Sequence, residues 1–298
     1  MYICIKITQM QLLLFILIYP FIWLISILPF RLLYLFSDFI YVVLYYGIGY
    51  RKRTVRENLA LALPHLSDKE RLIIEKKSMK HLCDLFLEMI KSITISRKEI
   101  EQRFVFTNLE LYQEFEAKQK SIAIMCAHYA SYEWLMSMNY HIKFKGIGIY
   151  KKIANPYFDN MVKKIRSKFK AELVDTKKTI DLMTEYQEKN ILAVYGFASD
   201  QSPKLNKYTH YDTFMGVSVP VHTGAENLAK KMDLNVIFVK IKKPKRGFYE
   251  ATFVDFASNP QEIPDYQITH DYLRLVEQQI IEAPEFYLWT HKRWKHRR

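Results

Sequence analysis

Between Lys6 and Arg31 the chain carries no charged side chain. The apolar run at residues 7–30 exceeds the roughly 20 residues a helix needs to cross a hydrocarbon core. It is also too long for the h-region of a secretory signal, and no small-x-small cleavage site follows it. Pro20 and Pro29 interrupt the run, and residues 32–50 continue apolar with only Asp38, so a bent anchor lying partly in the interface is the alternative to one spanning helix. Trp23, Tyr34, Tyr41, Tyr45, Tyr46 and Tyr50 are rings of the kind that favour a membrane interface. Arg51, Lys52, Arg53 and Arg56 follow at once, as on a cytoplasmic flank. We therefore expect a membrane anchor at residues 1–50 and a cytoplasmic domain at residues 51–298.

The remaining chain reads as one α/β domain. Ser67-Asp68-Lys69-Glu70 resembles a helix-capping sequence, and Leu72, Ile73, Met79, Leu82, Leu85, Phe86, Met89 and Ile90 recur at helical spacing. Short apolar runs at residues 121–127, 144–150, 171–174, 191–195, 236–241 and 249–256 read as strands. Helices fill gaps at residues 131–140, 157–169, 180–188, 221–232 and 268–281, which predicts a parallel or mixed sheet flanked by helices. Residues 198–219 show little periodicity and carry Asp200, Pro203 and Gly216, so they read as a long loop of the length reserved for binding or gating.

Three cysteines, Cys4, Cys83 and Cys126, are too few and too widely spaced for a disulfide framework or a paired-cysteine zinc site. No metal or organic cofactor is called for. Lys and Arg outnumber Asp and Glu by 44 to 31, giving a net charge of +13 that favours an anionic partner. The excess concentrates at residues 143–178, where eleven Lys and Arg face only Asp159, Glu172 and Asp175. None of the familiar nucleic-acid-binding motifs accompanies it, so a membrane-tethered, non-catalytic binder of nucleic acid is the weaker reading.

Cys126-Ala-His128-Tyr-Ala-Ser-Tyr-Glu133 falls where a strand ends and a helix begins, a common place for active groups in α/β folds. On one continuous helix, residues five apart point about 140° apart, so pairing His128 with Glu133 requires His128 to sit on the loop before the helix. The carboxylate would then hold one imidazole nitrogen and leave the other as a general base toward a hydroxyl group. A buried, satisfied histidine beside a surface acid is the competing account of the same two residues. Cys126 permits an acyl-cysteine route in principle, but a strand cysteine commonly serves as a small hydrophobe.

The His-x4-Glu pair resembles the signature of glycerolipid-type acyltransferases, and in its Glu form that of the late acyltransferases of lipid A biosynthesis. Further blocks agree in order along nearly the whole chain. Arg51-Lys-Arg-Thr-Val55-Arg-Glu-Asn58-Leu59, with Pro64, resembles the family's basic stretch and Val-x2-Asn-Leu. Tyr150-Lys151-Lys152-Ile-Ala-Asn155-Pro-Tyr-Phe-Asp159 with Arg166 resembles its second block, and Asp200-Gln201-Ser202-Pro203 its third. Phe214-Met-Gly216, Gly224 and Ala229 resemble the next segment, and Tyr287-Leu-Trp289-Thr-His291-Lys-Arg293-Trp294-Lys295 the close. Departures are Leu63, where the family has Phe, and Ala130, Ser131 and Tyr132, where it often has Gly or Asn.

The resemblance implies a glycerolipid-acyltransferase-like mixed sheet with an N-terminal hydrophobic anchor, at the inner membrane with its catalytic domain on the cytoplasmic face. It implies transfer of a fatty acyl group from an acyl carrier protein or acyl-CoA thioester to a hydroxyl of lipid A or its precursor, an anionic glycolipid. His128 and Glu133 would be catalytic, while Arg166, Asp200, Asn155 and Lys151 would bind substrate. Asp200 is read as binding a sugar hydroxyl or pairing with Arg166. Acylation of another lipid, such as an amino-acid lipid or a lysophospholipid, would keep the same chemistry.

Overall fold

Helix α1 spans Tyr2–Ile27 and helix α2 Phe30–Val42, and a π-helical segment, Val43–Ile48, prolongs α2. The computed structural model describes residues 2–204 and 210–298, with side chains from residue 9 onward, so the Cys4 side chain and residues 205–209 of the expected loop lie outside the description. Pro20 is accommodated inside α1, and the break falls at Pro29, which opens α2, where a missing N–H costs nothing. Gln9–Ile27 and Phe30–Ile48 are each 19 residues and apolar enough to cross a bilayer. The apolar end is therefore two helices, with Leu13, Leu17, Phe21, Leu32, Leu35 and Phe39 facing outward.

Helices α3 (Lys52–Ala62) and α4 (Asp68–Lys91) follow. Ser67 and Glu70 cap α4 reciprocally, satisfying two backbone donors that a helix start leaves free. At its other end Lys91 donates to the carbonyls of Ser26 (3.0 Å) and Leu28 (2.8 Å), joined at Ser26 by the Thr94 hydroxyl, so a cation closes the carbonyl end of α1. The helical spacing of α4 is as expected, but its packed face also carries buried acids. Asp84 takes a bidentate pair from Arg246 (2.6 and 2.9 Å), which also grips Asp38 of α2 (2.8 and 3.1 Å). Glu88 accepts from the hydroxyls of Tyr34 and Tyr249, each at 2.7 Å, and burial pushes its carboxyl up to about 7. Glu75 accepts from Tyr45 (2.9 Å) and Arg56 (2.9 Å).

The main sheet has the order β1-β9-β8-β2-β5-β3-β4, parallel throughout except for the β8–β9 pair. Its strands are β1 (Phe104–Phe106), β2 (Ile122–Cys126), β3 (Lys145–Tyr150), β4 (Glu172–Asp175), β5 (Ala193–Ala198), β8 (Asn235–Lys245) and β9 (Phe248–Ala257). Helices α5 (Arg97–Arg103), α6 (Leu109–Ala117), α7 (Pro156–Ser167), α8 (Thr179–Glu188), α9 (Gly224–Lys231) and α10 (Gln267–Glu282) accompany it. The fold is the mixed α/β sheet flanked by helices that the sequence predicts. The central strand β2 is buried along its whole length, which is why it reads as an unbroken apolar run.

Two expectations are corrected. The helix expected at residues 131–140 is a 3-10 helix, Trp134–Tyr140, preceded by an irregular loop. Within the expected loop 198–219 lies a hairpin, β6 (Tyr211–Phe214) and β7 (Val217–Pro220), turned by Met215 and Gly216, both at positive φ.

Because Arg246 neutralises a carboxylate that is itself nearly inaccessible, removing it leaves Asp84 buried and under-compensated. We expect Arg246→Ala to cost about 3 kcal/mol. This should appear as a fall of roughly 5–10 °C in the thermal midpoint of the detergent-solubilised protein, whereas Arg53→Ala, from an exposed pair, should leave it within a degree or so.

Candidate active site

Strands β2 and β5 run parallel with Cys126 opposite Ala198, so the residues that follow them leave the sheet side by side at its carboxyl edge. His128 and Asp200 are those residues. The His128 backbone N–H donates to Asp200 Oδ1 (3.0 Å), and the same oxygen lies 2.8 Å from His128 Nδ1. One carboxylate thus fixes both the backbone and the ring of the histidine. With the Nδ1 proton directed at Asp200, a neutral imidazole presents its lone pair on Nε2.

Burial pulls the imidazole's pKa down, but the Asp200 charge and hydrogen bond, with Glu133 adding, outweigh it and leave His128 above its ordinary value. Asp200 has no exposed surface. Burial would raise its carboxyl, yet the His128 charge and the two bonds from His128 hold it below the usual carboxylate range.

His128 does lie on a loop, as pairing with Glu133 requires, but its carboxylate partner is Asp200. Glu133 turns to Arg166 of α7, which donates to it through Nη2 (2.6 Å) and Nε (3.0 Å), a bidentate geometry that only a guanidinium gives. Asp200 therefore pairs with His128 and not with Arg166, which Glu133 engages instead. His128, Glu133 and Arg166 border one cleft of about 420 Å³, otherwise walled by Ile124, Leu135, Met136, Met138, Ile147 and Val194, while Asp200 stands behind His128. Gly146 and Gly148 of β3 also face it, and a Cβ at either would strike the Asn139 or Met136 side chain, so these positions keep the cleft's shape.

Lys151 lines the cleft. Asn155 is engaged elsewhere: its Oδ1 caps α7 by accepting from Tyr157 N–H (3.0 Å), and its Nδ2 donates to the Gln11 carbonyl of α1 (3.3 Å). Cys126 also borders the cleft, but burial pushes its thiol up to about 12, so it is protonated and a poor nucleophile at neutral pH.

Residues 5–296 match the family described as bacterial lipid A biosynthesis acyltransferases. The chain belongs to this family. It is an O-acyltransferase, which removes the non-catalytic reading. Over 277 residues, 92% of this chain and 89% of the other, it is 23% identical to the lipid A biosynthesis lauroyltransferase of Escherichia coli (strain K12).

The acyltransferase holds its histidine loop with residues to which sequence reasoning gave no role. The Tyr272 hydroxyl of α10 donates to the Cys126 carbonyl (2.7 Å) and accepts from Ser199 N–H (3.2 Å), stapling the two strand ends that carry His128 and Asp200. The closing segment does the rest. Ala130 N–H donates to the Phe286 carbonyl (2.9 Å), Tyr129 bridges Tyr287, and Ser202 N–H donates to His291 Nε2 (3.2 Å). Burial pushes His291 down to about 4, which keeps that nitrogen an acceptor. Asn58 in turn holds the carbonyls of Trp289 and His291, each at 2.7 Å. Ala130 sits at φ 48°, a left-handed backbone state natural to glycine or asparagine. The signal for these supports was the fixed order of the Asn-Leu and Trp-x-His blocks, which marks positions without revealing partners.

Tyr272→Phe deletes one hydroxyl and strands a buried carbonyl and N–H, so it should cost about 1–3 kcal/mol of stability. Transfer measured below the melting range should still fall several-fold with KM little changed, because the staple sets the His128–Asp200 geometry and no part of the cleft. Unaltered kcat would show that the staple serves folding alone.

Proposed function

We propose that the protein transfers a fatty acyl group from an acyl thioester, borne by an acyl carrier protein or CoA, to a hydroxyl of lipid A or a precursor. His128 serves as the general base. The observation that carries this reading is the His128–Asp200 pair at the edge of an apolar cleft that also holds the Glu133–Arg166 pair.

The steps follow from that geometry. His128 Nε2 takes the proton of the acceptor hydroxyl as its oxygen attacks the thioester carbonyl. Asp200 stabilises the resulting imidazolium and fixes the ring, a role sequence reasoning gave to Glu133. Arg166, oriented by Glu133, offers positive charge to the oxyanion of the tetrahedral intermediate. Collapse breaks the C–S bond, and the departing thiolate takes the proton back from His128. The apolar walls suit the acyl chain, and Lys151 at the cleft suits an anionic headgroup or donor. Cys126 takes no part.

Residues 1–50 would anchor the acyltransferase domain of residues 51–298 at the inner membrane, with the domain on the cytoplasmic face. The outward apolar side chains of α1 and α2 support contact with lipid, since soluble monomers rarely expose so continuous a surface. The cationic flank from Arg51 to Arg56 supports the cytoplasmic side.

Intact-lipid mass spectrometry of membranes from cells expressing each variant tests the reading. His128→Ala should abolish addition of one acyl chain to lipid A, with the purified enzyme at least about 100-fold slower. Arg166→Lys keeps the charge but loses the bidentate pair with Glu133, and should lower kcat by about 10–100-fold. A shift confined to another lipid class would keep the chemistry and change the acceptor.

The pH profile tests the partner of His128. A base with a raised pKa is protonated and idle below that pKa, so activity rises with pH through it. Asp200→Asn removes the charge that raises it while burial still lowers it, so the acid limb of kcat/KM should move to lower pH as the plateau falls. A limb that stays in place while Glu133→Gln moves it would return the pairing to Glu133.

A further inference from the structure

Helix α7 has two working faces. Val162 and Arg166 face the catalytic cleft. The opposite side, with Tyr157, Met161, Lys164 and Lys168, lines a second cleft of about 500 Å³ whose other wall is α1, at Phe15 and Tyr19. Aromatic contacts join the two helices there, with Phe15 5.8 Å from Tyr157 and 5.3 Å from Phe158 between ring centroids.

The charge in this cleft is all of one sign. No Asp or Glu lines it among the described residues. Lys164 is exposed and has no ion-pair partner among them. Lys168 spends its ammonium on two backbone carbonyls, those of Ile93 (3.0 Å) and Ser92 (3.4 Å). Burial and the neighbouring Lys91 both push its pKa down, which is the mark of a cation short of counter-charge. The other cations of α7 are already occupied, Lys163 by Asp159 (2.9 Å) and Arg166 by Glu133 (2.6 Å). A ligand that complements this cleft has an anionic head for Lys164 and for the charge of Lys168, which no acid neutralises, and an apolar tail for the wall of α1, which continues as the outward apolar surface of that helix.

We propose that the cleft between α1 and α7 binds the phosphate and one acyl chain of the acceptor glycolipid, with Lys164 and Lys168 on the phosphate and Phe15, Tyr19 and Met161 along the chain. The proposal rests on the acyl-transfer reading above. It places the acceptor astride α7, a helix about 10 Å across, so that a head held on one face presents a hydroxyl toward His128 on the other. It also gives α1 a part in the reaction as a wall of the acceptor site. Bulk anionic phospholipid offers the same chemistry, but a lipid anchored beside the catalytic wall is the one whose hydroxyl the enzyme needs.

The experiment compares kcat/KM for a phosphorylated lipid A precursor with that for the same lipid after phosphatase treatment, each in zwitterionic detergent micelles. In the unmutated enzyme the phosphorylated lipid should be preferred, and Lys164→Gln should cut that preference about tenfold, with Lys164→Arg restoring most of it. Lys164 is exposed, so its loss does not threaten folding; Lys168→Gln is the stricter variant and should act in the same direction. An unchanged preference in Lys164→Gln overturns the proposal. If the preference is unchanged while added phosphatidylglycerol inhibits the unmutated enzyme and not Lys164→Gln, the cleft binds bulk lipid and the acceptor assignment falls. Should the unmutated enzyme acylate neither lipid, the acyl-transfer reading fails by itself. Native mass spectrometry then decides the cleft, because retention of the phosphorylated lipid by the unmutated protein and its loss in Lys164→Gln supports the site, and equal retention overturns it.

Discussion

A single buried carboxylate organises the sheet edge that carries His128. Asp200 has no exposed surface, so its charge is tolerable only while groups around it supply compensation. His128 supplies it twice, through its backbone N–H and through Nδ1. The dependence runs both ways. Without Asp200 the imidazole would lose its tautomer and its raised basicity, and without His128 the carboxylate would be a costly defect. Such mutual need fixes the ring more tightly than either residue's packing would.

That pair is secure only if the two strand ends keep their register. Tyr272 ties them directly, and the closing segment ties each loop from the other side, at Phe286 and at His291. The segment is itself held by buried stacking of Trp289 on Trp294 and by Asn58 of α3. Helix α3 begins just after the apolar helices, and Arg51 at its start holds the Thr290 carbonyl (2.8 Å). A set of hydrogen bonds therefore joins the start of α3, just after the apolar helices, to the His128 and Asp200 loops through a closing segment built mostly of turns.

Much of this was legible in the sequence. The six longer strands of the sheet declared themselves as short apolar runs, and α7, α8 and α10 fall within two residues of their expected ends, because a buried parallel sheet flanked by amphipathic helices writes two distinct periods into the chain. The three-residue β1 and the short helices α5 and α6 are too brief to show a period. The hairpin at Tyr211–Pro220 was hidden inside a polar stretch, with Met215 and Gly216 as its local cue. The partner of His128 was not readable at all. Glu133 is five residues away and invites pairing, whereas Asp200 is 72 residues away and becomes adjacent only because β5 lies next to β2. Sequence spacing reports helical neighbours; strand order, which decides neighbours at a sheet edge, leaves no periodic trace.

The acids of α4 carry the same lesson in a different place. Acids on an amphipathic helix ordinarily face water, yet Glu75, Asp84 and Glu88 are all buried against Tyr45, Arg246, Tyr34 and Tyr249. Hydrocarbon alone would let α2 slide or rotate on the domain, since apolar contacts are non-directional. Directed bonds from a guanidinium and two tyrosines do not permit that. Apolar helices held in one orientation keep α1 against α7, and α7 carries Arg166 into the cleft beside His128. The polar seam beneath the two apolar helices and the ion pairs at the cleft are thus parts of one requirement, since both hold directed geometry where apolar contact alone would leave the elements free to slide.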